Sequence, residues 1–319
     1  MKLGFIEKNK SVLLFLLKII IAGGLLYLII SRVEFSEIIA GLKTVNINLL
    51  ILALIFSGIN IFLQYWKWYV VCEKILGAKN KKKILISLFQ GISGGSFTPA
   101  RVGEYFGRAI AFKDKSLTQV SIATVVDKFF LLAVITVVGS ITSVLFLHFY
   151  YQLNIYITIS LLSGILLVSY LVVFILINQG NWKSSLISKI NKYEKLSNLL
   201  KKLFILKQMD RSFSIKLILI TFLFYITIIF QYGVLIAAFS NHFEVINYLW
   251  AGTLVMFSKS IIPPVTIADL GVREGASVFF IKIFGEIGSV GFNAAIFLFL
   301  INILLPSLIG ILFLFKKRQ

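Results

Sequence analysis

The sequence predicts an all-α polytopic membrane protein, and three observations carry that prediction. Of its 319 residues, 59% are hydrophobic and 14% charged, whereas soluble domains carry about a quarter charged residues. Several apolar runs approach or exceed the ~18–20 residues that cross a bilayer as a helix. The runs are continuous instead of alternating, which sets aside a β-barrel.

The first run, "SVLLFLLKIIIAGGLLYLII", follows Lys2, Lys8 and Lys10. It is longer than the ~7–15 apolar residues of a signal peptide and no small-residue cleavage site follows, so it is read as an uncleaved first span. Full spans are expected at 12–30, 48–71, 119–147, 155–177, 215–240 and 291–315. Two further apolar segments, 84–112 and 246–288, are interrupted by Pro and Gly.

Basic residues between these runs set an orientation. The N-terminal tail carries three, 72–83 five, 101–118 four, 178–216 nine and the tail 316–319 three, while 148–154 and 241–247 carry none. The loop 31–47 carries two, balanced by Glu34 and Glu37. Both termini are therefore expected in the cytoplasm of a multi-pass cell-membrane protein. The interrupted segments then enter and leave on one side each, as re-entrant hairpins from opposite faces. Residues 12–147 and 155–315 read span, span, hairpin, span with opposite orientation, an inverted repeat of the kind that builds transporters around a midplane site. The domain reading is one transmembrane region beginning with 1–177, a cytoplasmic linker at 178–214, the second half at 155–315 and the basic tail at 316–319. In the linker Leu186, Ile190, Tyr193, Leu196, Leu200 and Leu203 recur at helical spacing among lysines, the pattern of an amphipathic helix on anionic inner-leaflet lipid.

Several classes fall away. A single cysteine, Cys72, allows no internal disulfide or Cys-based metal site. His148 and His242 are far apart, in expected short loops. No phosphate-cradling P-loop, zinc-protease or nucleophile-elbow motif is present. No cofactor is expected. The formal charge of +19 fits basic loops against anionic lipid better than a nucleic-acid partner.

The chemistry lies in the two breaks. In "GGSFTPARVGEYFGRAIAF" one half-helix is expected to end near Gly94 and Gly95 and a second to start at Thr98, an N-cap, with Pro99 at the first helical position. Arg101, Glu104 and Arg108 then fall at i, i+3 and i+7 on one face. In "SKSIIPPVTIADLGVREGASVFF" the pair Pro263 and Pro264 removes two donors, and the next helix is expected near Asp269, its cap, with Gly271, Arg273 and Glu274 following. Broken backbone at membrane depth is tolerated only where protein or water surrounds it, and each charge there costs about 2.5–3.5 kcal/mol on insertion scales. Two half-helix N-termini with Arg101, Arg108 and Arg273 suit an anion, phosphate first. Glu104, Glu274 and Asp269 pair those arginines or meet an amine of the same ligand. Asp127 and Lys128, at the start of the third span, and Lys259, before the double proline, are candidates for coupling or local pairing.

At these residues the chain resembles the lysylphosphatidylglycerol synthase transmembrane, or flippase-like, family. The carrying blocks are "TPARVGEYFGRA" at 98–109, "VVDKFF" at 125–130 and "PPVTIADLGVREG" at 263–275. Ala100 stands where the family usually has glycine, Asp127-Lys128 replaces Glu-Arg, and Ala268-Asp269 replaces Gly-Gly, the last a change suited to a more cationic or sugar-bearing headgroup. The resemblance implies movement of a lipid between leaflets. Its partner would be a membrane phospholipid, a glycolipid or a polyprenyl-phosphate lipid, sometimes with a separate lipid-modifying enzyme. The chain ends at "FKKRQ", without the fused transferase of the named member, so translocation without covalent chemistry is expected. The alternatives are a membrane-embedded enzyme or accessory of lipid modification, with Glu104, Asp269 or Glu274 as base, and a transporter of a small anionic solute.

Overall fold

The computed structural model describes residues 24, 27, 35–98, 101–177, 210–262 and 270–315, and all regular structure among them is helical. In chain order the helices are α1 (Phe35–Lys43), α2 (Ile47–Val71, prolonged by a π turn at Cys72–Leu76), α3 (Lys81–Phe97), α4 (Gly103–Ile110), α5 (Leu117–Tyr151), α6 (Ile155–Ile177), α7 (Arg211–Ser240), α8 (Val245–Ile261), α9 (Val272–Ile283), α10 (Gly288–Phe299) and α11 (Leu305–Phe315), the last two joined by a π turn at Leu300–Leu304. Five stretches among the described residues are long and apolar enough to cross a membrane: Ile47–Leu76, Leu117–Tyr151, Ile155–Phe174, Arg211–Ser240 and Gly288–Phe313. The chain is a polytopic helical membrane protein. The expected span 12–30, the tail 316–319 and nearly all of the linker 178–214 lie outside the described residues. The linker's last residues, from Arg211, already belong to α7.

Local chemistry explains several boundaries. The hydroxyl of Ser116 accepts the Gln119 N–H at 3.2 Å while the Gln119 side chain accepts the Ser116 N–H at 3.1 Å. Two orphan donors of α5 are thereby satisfied at once. At its other end α5 runs to Tyr151 and stops where Gln152 turns left-handed, φ 54°. His148 therefore sits in the last helical turn and not in a loop as expected, its Nδ1 2.8 Å from the carbonyl oxygen of Leu153.

The chain forms two compact units. The first comprises 1–58, 89–107 and 228–319, the second 59–88 and 108–227. In the first unit, α8 and α9 pack as neighbours in sequence, with the Trp250 and Phe284 rings 5.8 Å apart. α9 meets α10 through Ser277, whose hydroxyl donates to the Gly291 carbonyl at 2.5 Å. α10 reaches α1 through Asn293, whose amide donates to the Ile38 carbonyl at 3.2 Å. The C-terminal part of α3 lies on α11: Ser93 donates to the Ser307 carbonyl at 2.5 Å and the Ser96 and Ser307 hydroxyls are 2.6 Å apart. Such contacts between small residues are how helices associate in lipid, where apolar burial offers little net gain.

In the second unit α5 packs on α6 and on the π turn that ends α2. Two exposed ion pairs tie its loops. Lys74 meets Asp210 at 2.7 Å, linking the end of α2 to the start of α7, and Lys83 meets Asp114, linking the start of α3 to the loop after α4. Trp68, Cys72, Ile84, Phe112 and Leu217 form its fully covered interior.

Candidate functional site

The first break does not fall where the glycines suggested. α3 continues through Gly94 and Gly95 to Phe97, and α4 begins at Gly103, not at Thr98. The glycines serve packing instead of a break: a Cβ on Gly94 would lie 2.2 Å from the Gly103 carbonyl oxygen, so the two backbones touch only because neither residue has a side chain. Helix propensity is a weak local term that such tertiary contact overrides. Thr98 nonetheless joins the two helices. Its hydroxyl donates to the Gly94 carbonyl and accepts the Gly103 N–H, both at 2.7 Å. It thus covers a C-terminal orphan of one helix and an N-terminal orphan of the next. Pro99 lies outside the described residues.

Arg101 precedes α4 with φ 55°, so it does not share a helical face with Glu104 and Arg108 as the i, i+3, i+7 spacing implied. Its Nε is 3.4 Å from Oε2 of Glu104, and that carboxylate is buried against Gly95. Arg101 itself is about one-third exposed.

The second break lies partly outside the described residues, which exclude Pro263, Pro264 and Asp269. α8 runs to Ile261 with Lys259 half-buried in its last turn, and α9 begins at Val272, three residues beyond Asp269. The N-terminus of α9 is covered by Glu274, whose Oε2 accepts the Gly271 N–H at 2.7 Å. Gly271 has φ 93°, a conformation that favours glycine. The other oxygen of Glu274 accepts from Arg273 at 2.5 Å. Arg273 is 1% exposed and Glu274 fully buried. The Arg273 guanidinium carbon stands 5.3 Å from the centre of the Phe299 ring, and its Nε has no partner. Beside this pair the Tyr232 hydroxyl bonds Ser277.

Within the first unit, the run α10–α11 meets Arg273 at Phe299 and the end of α3 at Ser307, through Ser96. Eight residues of helix separate these two contact points, about 12 Å along the axis.

The second unit holds its own buried charges. Arg108 Nη1 is 2.9 Å from Asp127 Oδ2, and Lys67 Nζ is 3.2 Å from Asp127 Oδ1 and 3.2 Å from its carbonyl oxygen. All three side chains are about 95% covered. The Trp68 ring faces the Arg108 guanidinium at 4.1 Å. Lys128 is half-buried. Lys67 and Trp68 are absent from the sequence-based candidates, although a lysine inside the apolar run "QYWKWYVV" is the kind of intramembrane charge that marks a polar interior.

The family model of the lysylphosphatidylglycerol synthase TM region matches residues 15–310. The chain belongs to this family. No curated protein matches it. As a member of the lysylphosphatidylglycerol synthase TM family the protein is a multi-pass membrane protein of lipid handling. Its buried charged groups include the Arg273–Glu274 pair at the start of α9, Glu104 beside the partly exposed Arg101 at the α3–α4 turn, and Lys67, Arg108 and Asp127 in the second unit. Among the described residues there is no cluster of three metal-ligating side chains. The arrangement can neutralise and hydrogen-bond a charged group away from bulk water.

Proposed function

We propose that the protein moves a phosphate-bearing lipid between leaflets, its headgroup passing through a polar interior while its tails remain in hydrocarbon. One observation carries this reading: Arg273 is buried with Glu274 at the start of α9, yet its Nε lacks a partner. A desolvated donor beside a helix N-terminus is a place for an anion, and in a family of lipid handling that anion is a headgroup phosphate. Arg101 and Glu104 supply the matching pair at the other turn. Thr98, Gly94, Gly95, Pro99, Pro263, Pro264, Asp269 and Gly271 build the two turns, and Arg108, Asp127, Lys128 and Lys259 support or couple them. The α3–α4 and α8–α9 pairs act as re-entrant hairpins from opposite faces of an inverted repeat. Support comes from the shared order α2, α3–α4, α5 and α7, α8–α9, α10–α11. The protein sits in the cell membrane with both termini cytoplasmic and 178–214 on anionic lipid, and works without covalent chemistry.

The test is leaflet exchange of labelled lipids in reconstituted vesicles. Arg101→Ala and Arg273→Ala are each expected to abolish exchange in protein that still elutes as a folded species. Wild-type exchange in both variants would remove the assignment. Extracted lipid altered in covalent structure would move the protein to the enzymes.

A further inference from the structure

A second polar centre lies in the second unit, where that reading gives Arg108 and Asp127 a supporting role and gives Lys67 and Trp68 none. Trp68 is completely buried, and its indole N–H has no hydrogen-bond partner. Buried donors are satisfied in the great majority of cases, and an orphan calls for a specific account such as an unseen water or ion. The surroundings choose between these. The ring lies against the Arg108 guanidinium at 4.1 Å, and the preceding residue, Lys67, brings an ammonium group to the same carboxylate as Arg108. Lys67, Arg108 and the indole are all donors, and Asp127 meets both cations, one oxygen to each. A water offers only two lone pairs and must also donate its own protons. An acceptor-only oxyanion satisfies three donors at once and balances cations held in a low dielectric.

We propose that Lys67, Trp68 and Arg108 form an oxyanion site of the second unit, with Asp127 holding the two cations in position, and that its ligand is a phosphate group. Lys67 and Arg108 supply the charge. The Trp68 N–H supplies direction, since indole is a donor with one fixed orientation. The phosphate belongs either to a lipid headgroup or to free inorganic phosphate. Arg101 is not among its residues, so the Arg101→Ala protein is expected to retain the site even if leaflet exchange is lost.

The experiment uses the full-length detergent-solubilised protein. It follows the thermal midpoint and the tryptophan emission during titration with inorganic phosphate and, separately, with a short-chain phosphatidylglycerol. The native protein is expected to bind at least one of the two, with a rise in midpoint and a change in emission. Trp68→Phe keeps an aromatic ring beside Arg108 and removes the donor together with part of the ring, so its binding is followed by the thermal midpoint and compared with its own unliganded midpoint. Loss of one hydrogen bond to a charged ligand corresponds to about 10-fold weaker binding or more. Lys67→Met keeps the packing and removes a cation, and is expected to weaken binding at least as much, while its unliganded midpoint reports folding separately. Binding of inorganic phosphate that competes with the lipid assigns the site to the phosphate group itself. Binding of the lipid alone assigns it to a headgroup. No binding of either probe by the native protein, or equal affinity in Trp68→Phe and Lys67→Met, overturns the proposal.

Discussion

Glu274 uses one carboxylate twice, capping α9 through the Gly271 N–H and neutralising Arg273. Glu274→Gln keeps an oxygen for the cap and removes the charge, leaving a buried guanidinium uncompensated. Breaking a buried pair on one side costs about 3–5 kcal/mol, so a clear drop in thermal midpoint is expected. The double variant Arg273→Met, Glu274→Gln removes both charges and should recover most of that loss, because a buried pair contributes little net stability against apolar groups of similar size. If the double variant is as unstable as the single one, the pair is structural and not held for a ligand. Thr98 permits a similar separation. Thr98→Val retains its shape but loses both the bond to Gly94 and the bond from Gly103, at a cost of about 1–2 kcal/mol by analogy with a lost cap. Thr98→Ser keeps the hydroxyl and should stay within a few tenths of a kcal/mol on the same melting curve.

Among the elements, the α3–α4 pair shows how glycine can be misread from sequence. The motif "SGGSFTP" suggested a break near Gly94, because glycine is costly inside a helix. The structure uses the same residues as contact points along an unbroken α3. A Cβ on Gly94 would meet the Gly103 carbonyl, and one on Gly107 would lie 2.2 Å from the Gln90 carbonyl oxygen. Close approach depends on residues far along the chain, so no local pattern carries it. Gly107→Ala is therefore expected to destabilise by about 1–3 kcal/mol through overpacking. Gly164→Ala in α6, where nothing lies within 4 Å, should be neutral or stabilising by up to about 1 kcal/mol. Equal melting points for the two variants would show that α3 and α4 do not touch. Span-forming runs such as 155–177 were legible because length and hydrophobicity decide them locally. Glu104, Arg273 and Glu274 stood out in the sequence as charges in apolar surroundings, and all three are buried. Lys67 was hidden as a single charge in a rich apolar run, and the partnership of Arg108 with Asp127 was hidden because spacing on one helix says nothing about its neighbour. The start of α9 at Val272 instead of Asp269 likewise follows from Glu274 reaching back to Gly271.

Across the whole molecule, charge decides orientation, and the distribution of lysines gives two expectations. The carboxyls of Asp114 and Asp210 are held below the usual carboxylate range, first by the side-chain bonds from Lys83 and Lys74 respectively. A folded-state value below the unfolded one, about 3.9, gives stability that is present above roughly pH 4 and disappears as pH falls through the depressed value. Amide protection factors around Asp114 and Asp210, taken relative to the intrinsic exchange rate at each pH, should fall only in that acid window and stay constant between pH 5 and 8. The second expectation concerns the faces of the membrane. Residues 79–83 carry four lysines and 241–247 none, which places the first inside and the second outside if basic loops stay on the cytoplasmic side. Cys72, the lone cysteine, is completely buried, so it gives little background to a membrane-impermeant thiol reagent. Lys82→Cys and Phe243→Cys replace exposed residues. In intact cells the reagent should label position 243, and position 82 only after permeabilisation. Labelling of both from outside, or of neither in permeabilised cells, would contradict two hairpins entering from opposite faces. The lysine count would then have to be explained by an acidic partner instead of by anionic lipid.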